Sequence, residues 1–350
     1  MSQLPSRLRA QAEQCALHGS PLTAALLYGA ADDYEAGGPA YVLLRPLAAD
    51  PGGTVPALRF AGAMHRLVLE RLAPELALYY PSVGGTAAPA GMWPVACRVV
   101  AEHLDELHDA VRRPVQTNEV GRSAALYGGL LQVAAETGKP LRLLEIGASA
   151  GLNLLVDRFA YDVADGVVLG DPASAVRLSR PWEGVFPPYD VPPKLVARRG
   201  CDPAPLDPGR ADDRLTLTSY VWADQVERFS RLRAALQIAA EQQPVEVERL
   251  PASAFLQREL SQRQPGVATV VWHSVVRQYL DPAERTEVAR LLAEAGSRAG
   301  VAAPLAHLSL EPEKVGDDGF RFLVELTTWP GGRRRVLAEC KGHGPPVVWR

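Results

Sequence analysis

The part of the sequence best suited to chemistry is residues 147–151, a run of five small residues that reads Gly-Ala-Ser-Ala-Gly. Side chains this small are needed where the backbone turns sharply and approaches a ligand closely. Because the run contains Gly-x-Ser-x-Gly, it matches the turn on which α/β-hydrolases present a nucleophilic serine, here Ser149. Because Glu145 stands two residues before it, the run also matches the loops that hold nucleotide cofactors. Two chemistries are therefore open, namely cofactor binding and hydrolysis.

The residues on either side of this run predict the elements that position it. Residues 141–146 are largely apolar and bounded by Pro140 and Gly147, which is typical of a buried parallel strand. Residues 152–159 place apolar side chains at helical spacing and predict an amphipathic helix. The start of such a helix would offer free N–H groups and a positive dipole end to a ligand.

The order of predicted elements indicates two domains. Residues 1–135 predict helices separated by proline and glycine, and we interpret them as a helical N-terminal domain or cap. In residues 136–350 strands and helices alternate, which predicts an α/β fold with a doubly wound, mainly parallel sheet of Rossmann type. Asp281 before Pro282 predicts a capped helix start. The further predicted strands are 195–202, 245–250, 268–274 and 305–310, followed by an antiparallel hairpin of 320–326 and 335–340.

Composition limits the class of protein. The chain has 350 residues, of which 47% are hydrophobic and 22% charged, as in soluble globular proteins. A net charge of −3 gives no bulk attraction to nucleic acid or to an acidic membrane, so we expect a small-molecule partner. The cysteines are far apart, which predicts neither a metal site nor a disulfide framework. No signal peptide or membrane-spanning run is recognised, so the predicted compartment is the cytoplasm.

The predicted parallel strands, the terminal hairpin and the small-residue loop together resemble class I S-adenosylmethionine-dependent methyltransferases. Residues 145–151 match that family's acid-x-Gly-x-Gly-x-Gly loop, with Ser149 in place of the middle glycine. The resemblance implies that this loop holds the methionine part of the cofactor. It also implies that Asp202, at the end of the second strand, holds the ribose hydroxyls, because a carboxylate can accept both protons. Asp171 lies nearer to the loop along the chain and is the alternative ribose acid.

Over most of its length the chain also resembles an uncharacterised bacterial family known as a domain of unknown function. The stretches that carry this resemblance are residues 116–123, 143–153 and 199–202. It supports the fold and assigns no reaction. Together the two resemblances imply a cofactor-binding set of Glu145, Gly147, Ala148, Ser149, Gly151, Asn153, Asp202, Thr117, Asn118 and Arg122.

Two residues are candidates for a catalytic base. His273 ends the fourth predicted strand, at the edge where open α/β sheets bind ligands, although it could also be a hydrogen-bonded core histidine. Glu119 lies in the N-terminal stretch that the family resemblance covers. A base is needed only if the methyl acceptor must lose a proton. Glu311, after the fifth strand, is interpreted as a surface carboxylate.

The leading prediction is a cytoplasmic S-adenosylmethionine-dependent methyltransferase acting on an unknown, small-molecule acceptor. The first alternative is a serine hydrolase with Ser149 as nucleophile. Against it, a hydrolase needs strands before its nucleophile, and the chain contains no His-Gly-Gly-Gly loop for an oxyanion. The second alternative is a protein that binds S-adenosylmethionine or another nucleotide without catalysis.

Overall fold

The computed structural model describes residues 3–51, 54–185, 187–241, 245–262, 264–314 and 320–350. The chain forms two compact units. One, here called the helical unit, consists of Met1–Thr117 and Arg210–Arg233. The other, the α/β unit, consists of Asn118–Gly209 and Ala234–Arg350. No helix in the described part of the chain combines the length and the apolar character needed to cross a membrane.

The helical unit packs short helices around an apolar core. Proline stands in the first turn of six of them, where its fixed φ favours helix formation and its missing N–H costs nothing. The core includes Leu8, Leu27, Phe60, Met64 and Val100, all buried. The helices are α1 (Leu4–Leu17), α2 (Pro21–Glu35), α3 (Pro39–Leu44), α4 (Pro56–Leu69), α5 (Pro74–Ala77), α6 (Trp93–Glu102), α7 (Leu104–Arg112) and α9 (Ala211–Ser219). The boundary with the α/β unit falls inside α10 (Val226–Glu241).

The α/β unit is organised around a sheet of nine strands in the order β5-β12-β11-β10-β9-β8-β1-β6-β7. A separate three-stranded sheet has the order β3-β2-β4. The helices are α8 (Ser123–Thr137), α11 (Ala252–Ser261) and α12 (Pro282–Arg298). The strands are β1 (Leu141–Ile146), β2 (Ala160–Asp162), β3 (Val168–Gly170), β4 (Arg177–Ser179), β5 (Trp182–Gly184), β6 (Leu195–Asp202), β7 (Val247–Arg249), β8 (Ala268–Ser274), β9 (Leu305–Lys314), β10 (Phe320–Trp329), β11 (Arg333–Lys341) and β12 (Gly344–Trp349).

Five neighbouring strands of the large sheet, β7-β6-β1-β8-β9, are parallel. In chain order, the parallel strands begin with β1 in the middle of the sheet and continue outward through β6 and β7. β8 and β9 then lie on the other side of β1. The order therefore reverses between β1 and β8, which is the switch point at which open α/β sheets bind ligands. The mixed α/β class and the mainly parallel sheet are confirmed.

The two faces of the sheet carry different helices, and strand periodicity decides which residues face which helix. Leu144, Ile146 and Val271 pack in one cluster with residues of α11 and α12. On the opposite face α8 approaches closely through Gly128 and Gly129, where an added Cβ would collide with Trp349 and Leu308. We call these the α12 face and the α8 face.

The prediction of an amphipathic helix after the small-residue loop is wrong. Leu152–Arg158 forms only 3-10 turns, and Leu155 has non-helical torsions of φ −92° and ψ 17°. Two side chains compete for carbonyls that an α-helix would pair internally. Arg198 Nη1 donates to Leu154 O at 2.8 Å, and Tyr161 Oη donates to Val156 O at 2.9 Å. Short 3-10 turns therefore follow the loop in place of the expected α-helix.

Other local predictions are confirmed. The Asp281 carboxylate accepts the N–H of Glu284 at 2.8 Å and caps α12. The predicted strands at 141–146, 195–202, 268–274 and 305–310 match β1, β6, β8 and β9. The terminal hairpin is β10 paired antiparallel with β11. Sequence patterning missed β12 and β5, which extend the sheet beyond that hairpin.

Candidate functional site

The loop after β1 is held by two side chains from other parts of the α/β unit. Asp202 Oδ2 accepts the N–H of Ser149 at 3.0 Å, and Asp202 Oδ1 accepts the N–H of Ala204 at 2.8 Å. Asn118 Oδ1 accepts the N–H groups of Ala150 at 3.2 Å and Leu152 at 2.9 Å. The structure thus brings the predicted residues Asn118 and Asp202 to the predicted loop and gives both a role in fixing its shape.

The small residues of the loop are closely packed by the chain itself. A Cβ added to Gly147 would collide with the side chain of Val276, from the loop after β8. A Cβ on Gly151 would lie 2.9 Å from Val247 Cγ2. Any ligand that lies against Gly147 must therefore displace Val276 or lie beside it.

Strained backbone occurs on both sides of the switch point. Ser149, after β1, has φ +53°, and Val275, after β8, has φ +54°. L-residues avoid this left-handed region, and a β-branched residue such as valine avoids it most strongly. Strain of this kind persists only where the surroundings enforce it, and it clusters at functional sites. Here it marks the loops of the two strands between which ligands bind in this architecture.

Glu145, the acidic residue of β1, is almost fully buried. It is 2% exposed, and its Oε2 finds no hydrogen-bond partner among the described residues. Burial raises the pKa of this carboxyl well above its ordinary value, an effect that Trp272 and the positive charge of Arg122 only partly offset. Burial therefore favours the protonated, neutral form of this carboxyl. Asn153, also 2% exposed, likewise has an Oδ1 without a partner in the described part of the chain.

Two further predicted residues lie in the segment before α8. Arg122 is buried and donates from Nε to Gly342 O at 2.9 Å and from Nη1 to Ser274 O at 3.2 Å. Its guanidinium therefore lies at the carboxyl end of β8. Glu119 Oε1 accepts the N–H of Gly121 at 3.0 Å, while its carbonyl accepts Asn153 Nδ2 at 3.4 Å. The segment thus joins the ends of β1 and β8 by hydrogen bonds.

On the other face, His273 belongs to a chain of three ionisable side chains. Its Nδ1 lies 2.7 Å from Glu311 Oε1, and its Nε2 lies 3.0 Å from His307 Nε2. Glu311 is 3% exposed, so its interpretation as a surface carboxylate is wrong. Sequence reasoning did not group His307 with His273 and Glu311. Even spacing at 307, 309 and 311 along one strand was the signal that could have grouped His307 with Glu311.

The charge state of this chain follows from its contacts. Burial alone would raise the pKa of Glu311, but the bond to His273 and the N–H groups of Val276 and Arg277 outweigh it and lower the pKa. Those N–H groups lie 2.9 and 3.3 Å from Oε1. Burial, with smaller effects of His273 and Arg334, lowers the pKa of His307 to about 3. Near pH 7 Glu311 is thus a carboxylate and His307 is neutral.

The two groups of predicted site residues lie on opposite faces of the sheet. Glu145 pairs in register with Trp272, whose neighbour in β9 is Leu308 on the α8 face. His273 is one residue further along β8 and therefore faces the α12 side. Both groups reach the same carboxyl edge, and the loop containing Val276 contacts both, through Gly147 and Glu311.

Three further candidate residues, Asp171, Thr117 and His273, lie as follows. Asp171 is half-buried, and its Oδ1 accepts the N–H of Ala173 at 3.0 Å. Thr117 is the last residue of the first segment of the helical unit, whereas the site residues above lie in the α/β unit. Both ring nitrogens of His273 contact Glu311 and His307, so this imidazole does not serve Ser149. Among the described residues, no three acidic, histidine or cysteine side chains form a group able to hold a metal ion.

Comparison with protein families gives one match. The model of a family described as "Uncharacterized protein conserved in bacteria (DUF2332)" matches residues 5–349. The chain belongs to this family. The predicted resemblance to an uncharacterised bacterial family is thus confirmed over almost the whole length. Neither the curated proteins nor the solved structures contain a match to the chain.

Proposed function

We propose that the α/β unit binds S-adenosylmethionine at residues 145–153 and transfers its methyl group to a small-molecule acceptor. The topology supports this proposal. Parallel strands whose order starts at the centre with β1 and reverses between β1 and β8 create a ligand crevice at their carboxyl ends. A small-residue loop follows β1 at that crevice, as nucleotide-type cofactor sites require.

The buried Oε2 of Glu145, which has no partner among the described residues, carries the proposal. A buried polar oxygen without a partner costs about 1–3 kcal/mol, so proteins rarely keep one without use. As a neutral acid, Glu145 can both donate and accept a hydrogen bond, and Asn153 Oδ1 can accept another. S-adenosylmethionine offers an ammonium group and two ribose hydroxyls as donors. Asp202 would accept from the ribose with the lone pairs that its two backbone contacts leave free.

Once bound, the cofactor supplies the methyl group, and the protein needs mainly to align acceptor and sulfur. Such alignment supplies a large part of the rate enhancement in group transfer. Binding against Gly147 requires the loop that contains Val276 to move. Val276→Ala therefore tightens cofactor binding by a factor of a few, because less apolar contact has to be broken on opening.

Calorimetry and thermal shift with S-adenosylmethionine test the proposal directly. We expect saturable binding at or below about 1 mM ligand, a usual upper range for enzyme substrates. Glu145→Leu keeps roughly the size of the side chain but can neither donate nor accept a hydrogen bond, and it should weaken binding at least tenfold. Glu287→Leu, which changes an exposed carboxyl on α12 in the same way, is the matched control and should bind like the wild type. Absence of both heat and thermal shift, or unchanged binding by Glu145→Leu, would overturn the proposal.

A serine hydrolase is the second candidate on one observation. The left-handed φ of Ser149 is the kind of strain that a nucleophile turn shows. A fluorophosphonate probe that labels the wild type but not Ser149→Ala would replace the methyltransferase with this function. Cofactor binding without turnover over a panel of hydroxyl and amine acceptors would favour the non-catalytic alternative.

A further inference from the structure

The side chains of Glu311, His273 and His307 form a linear hydrogen-bonded chain whose proton positions can be worked out. Glu311 is ionised and can only accept, so His273 must carry a proton on Nδ1. If His273 is neutral, its Nε2 is then an acceptor and His307 must donate from its own Nε2. A neutral His307 that donates from Nε2 has a bare lone pair on Nδ1.

The outer end of this chain is open. His307 Nδ1 makes no hydrogen bond with any residue that the structure describes, and the side chain is only half-buried. Thr327 is opposite His307 in β10. Among the described residues, the charged groups near the three side chains include Arg334 in β11, which is paired with Glu325, and Arg277, whose N–H is bonded to Glu311 and whose guanidinium is paired with Glu313. Neither arginine can take a proton, and both carboxylates are occupied.

We propose that Glu311, His273 and His307 form a proton relay, which takes up one proton at His307 Nδ1 and holds it on His273. When a proton binds to Nδ1, the Nε2 proton of His307 moves to Nε2 of His273. His307 ends neutral with its proton on Nδ1, and His273 ends as an imidazolium. One proton enters and one positive charge appears, next to the carboxylate of Glu311, which compensates it.

The loop that contains Val276 connects the relay to the cofactor loop. Glu311 Oε1 also accepts the N–H of Val276, whose side chain covers Gly147. In the proposed methyl transfer, a base is required only for acceptors that lose a proton on methylation, such as hydroxyl and ammonium groups. The relay therefore assigns the acceptor to this class. This assignment rests on the proposed function, whereas the relay itself does not.

Nitrogen NMR of the histidine rings in the full chain tests the relay without any ligand. Long-range proton–nitrogen correlations distinguish the two neutral tautomers from the imidazolium, and His307→Gln and His273→Gln assign the signals. At about pH 8 we expect His273 protonated on Nδ1 and His307 on Nε2. On titration to about pH 5, the range in which histidine changes charge, both rings change in one step. His273 gains its second proton in that step while His307 exchanges Nε2–H for Nδ1–H.

His65 is the internal control. It is buried and bonded to Ser82 Oγ at 2.8 Å and Ser219 O at 3.1 Å, neither of which is ionised. It should keep one tautomer throughout the titration. Glu311→Gln should shift the joint step of His273 and His307 to lower pH, because the amide cannot compensate the imidazolium.

Three results would overturn the relay: a His307 that keeps Nε2–H throughout, separate titration steps for the two rings, or no step above about pH 5. These results are independent of S-adenosylmethionine. A failed calorimetry experiment with an intact joint step would therefore reject the cofactor and keep the relay.

Discussion

Glu145 in β1 and Glu311 in β9 belong to the same sheet and are almost equally buried, yet their surroundings shift their pKa values in opposite directions. Glu311 has three donors on one oxygen, from His273 and two backbone N–H groups, and stays ionised. Each carboxyl has an Oε2 without a partner among the described residues, but Glu145 lacks those three donors, and burial raises its pKa. The comparison teaches that the number of donors, more than depth, sets the charge of a carboxyl at this edge.

Removing the Glu311 carboxyl should have the largest effect. Glu311→Ala leaves His273 Nδ1 and the N–H of Val276 without their acceptor in a buried place. We expect the free energy of unfolding to fall by about 3 kcal/mol, measured by urea denaturation. Glu313→Ala, two residues further along β9, removes a partly exposed pair with Arg277 and should cost less than about 1 kcal/mol. Equal losses in the two variants would show that Glu311 is not specially stabilised.

The contact between the two regions can be tested at Gly147. Gly147→Ala places a methyl group against Val276 and keeps a left-handed φ of +69°, so we expect a loss of about 2–3 kcal/mol. Gly138→Ala is the matched control. It has φ +60° and nothing within 4 Å of the added methyl, so it should lose only about 1 kcal/mol. If both substitutions cost the same, the contact with Val276 does not constrain the loop.

Replacing the Glu145 carboxyl by an amide should stabilise the protein. The folded state raises the pKa of Glu145 above the 4.5 of an ordinary glutamate, so above that pH it binds more protons than the unfolded chain. Stability therefore falls as pH rises, and Glu145→Gln removes this loss. At pH 7 without ligand we expect a gain of about 1 kcal/mol, which disappears below about pH 4. A destabilised Glu145→Gln at pH 7 would mean that the carboxyl has a partner after all.

The pH dependence of Glu311 should have the opposite sign and the smallest effect. Its folded pKa is lowered, so its contribution is present above 4.5 and is lost as pH falls through the folded pKa. The difference in stability between the wild type and Glu311→Gln should therefore shrink on acidification below about pH 4.5. Thermal unfolding between neutral and acid pH measures it. A difference that grows in acid would contradict the assigned charge state.

Local signals in the sequence predicted part of this arrangement. The apolar run of β1, the cap at Asp281 and the small residues of 147–151 each act within a few residues, and patterning detects them. The turns after the loop were not detected, because Arg198 and Tyr161 compete for their carbonyls from distant positions.

The relay escaped prediction for the same reason. His273 and Glu311 are 38 residues apart along the chain, and they meet only because β8 pairs with β9 in one particular register. A shift of one residue would turn His307 and Glu311 to the α8 face. The exposed fraction of Glu311 likewise depends on the loop that folds over it. The sequence places acids at strand ends but does not tell which of them becomes protonated.

The close packing of Trp349 against Gly128 of α8 has a consequence for folding during synthesis. β1, at the centre of the sheet, leaves the ribosome long before the indole that presses on the glycine of α8 exists. Until residue 349 has been translated, one side of α8 lacks its apolar cover and β5 lacks its neighbour β12. A nascent chain of this protein should therefore need protection from aggregation over most of its synthesis. A ribosome that pauses early would not help the α/β unit to fold, because β12 would not yet have been made.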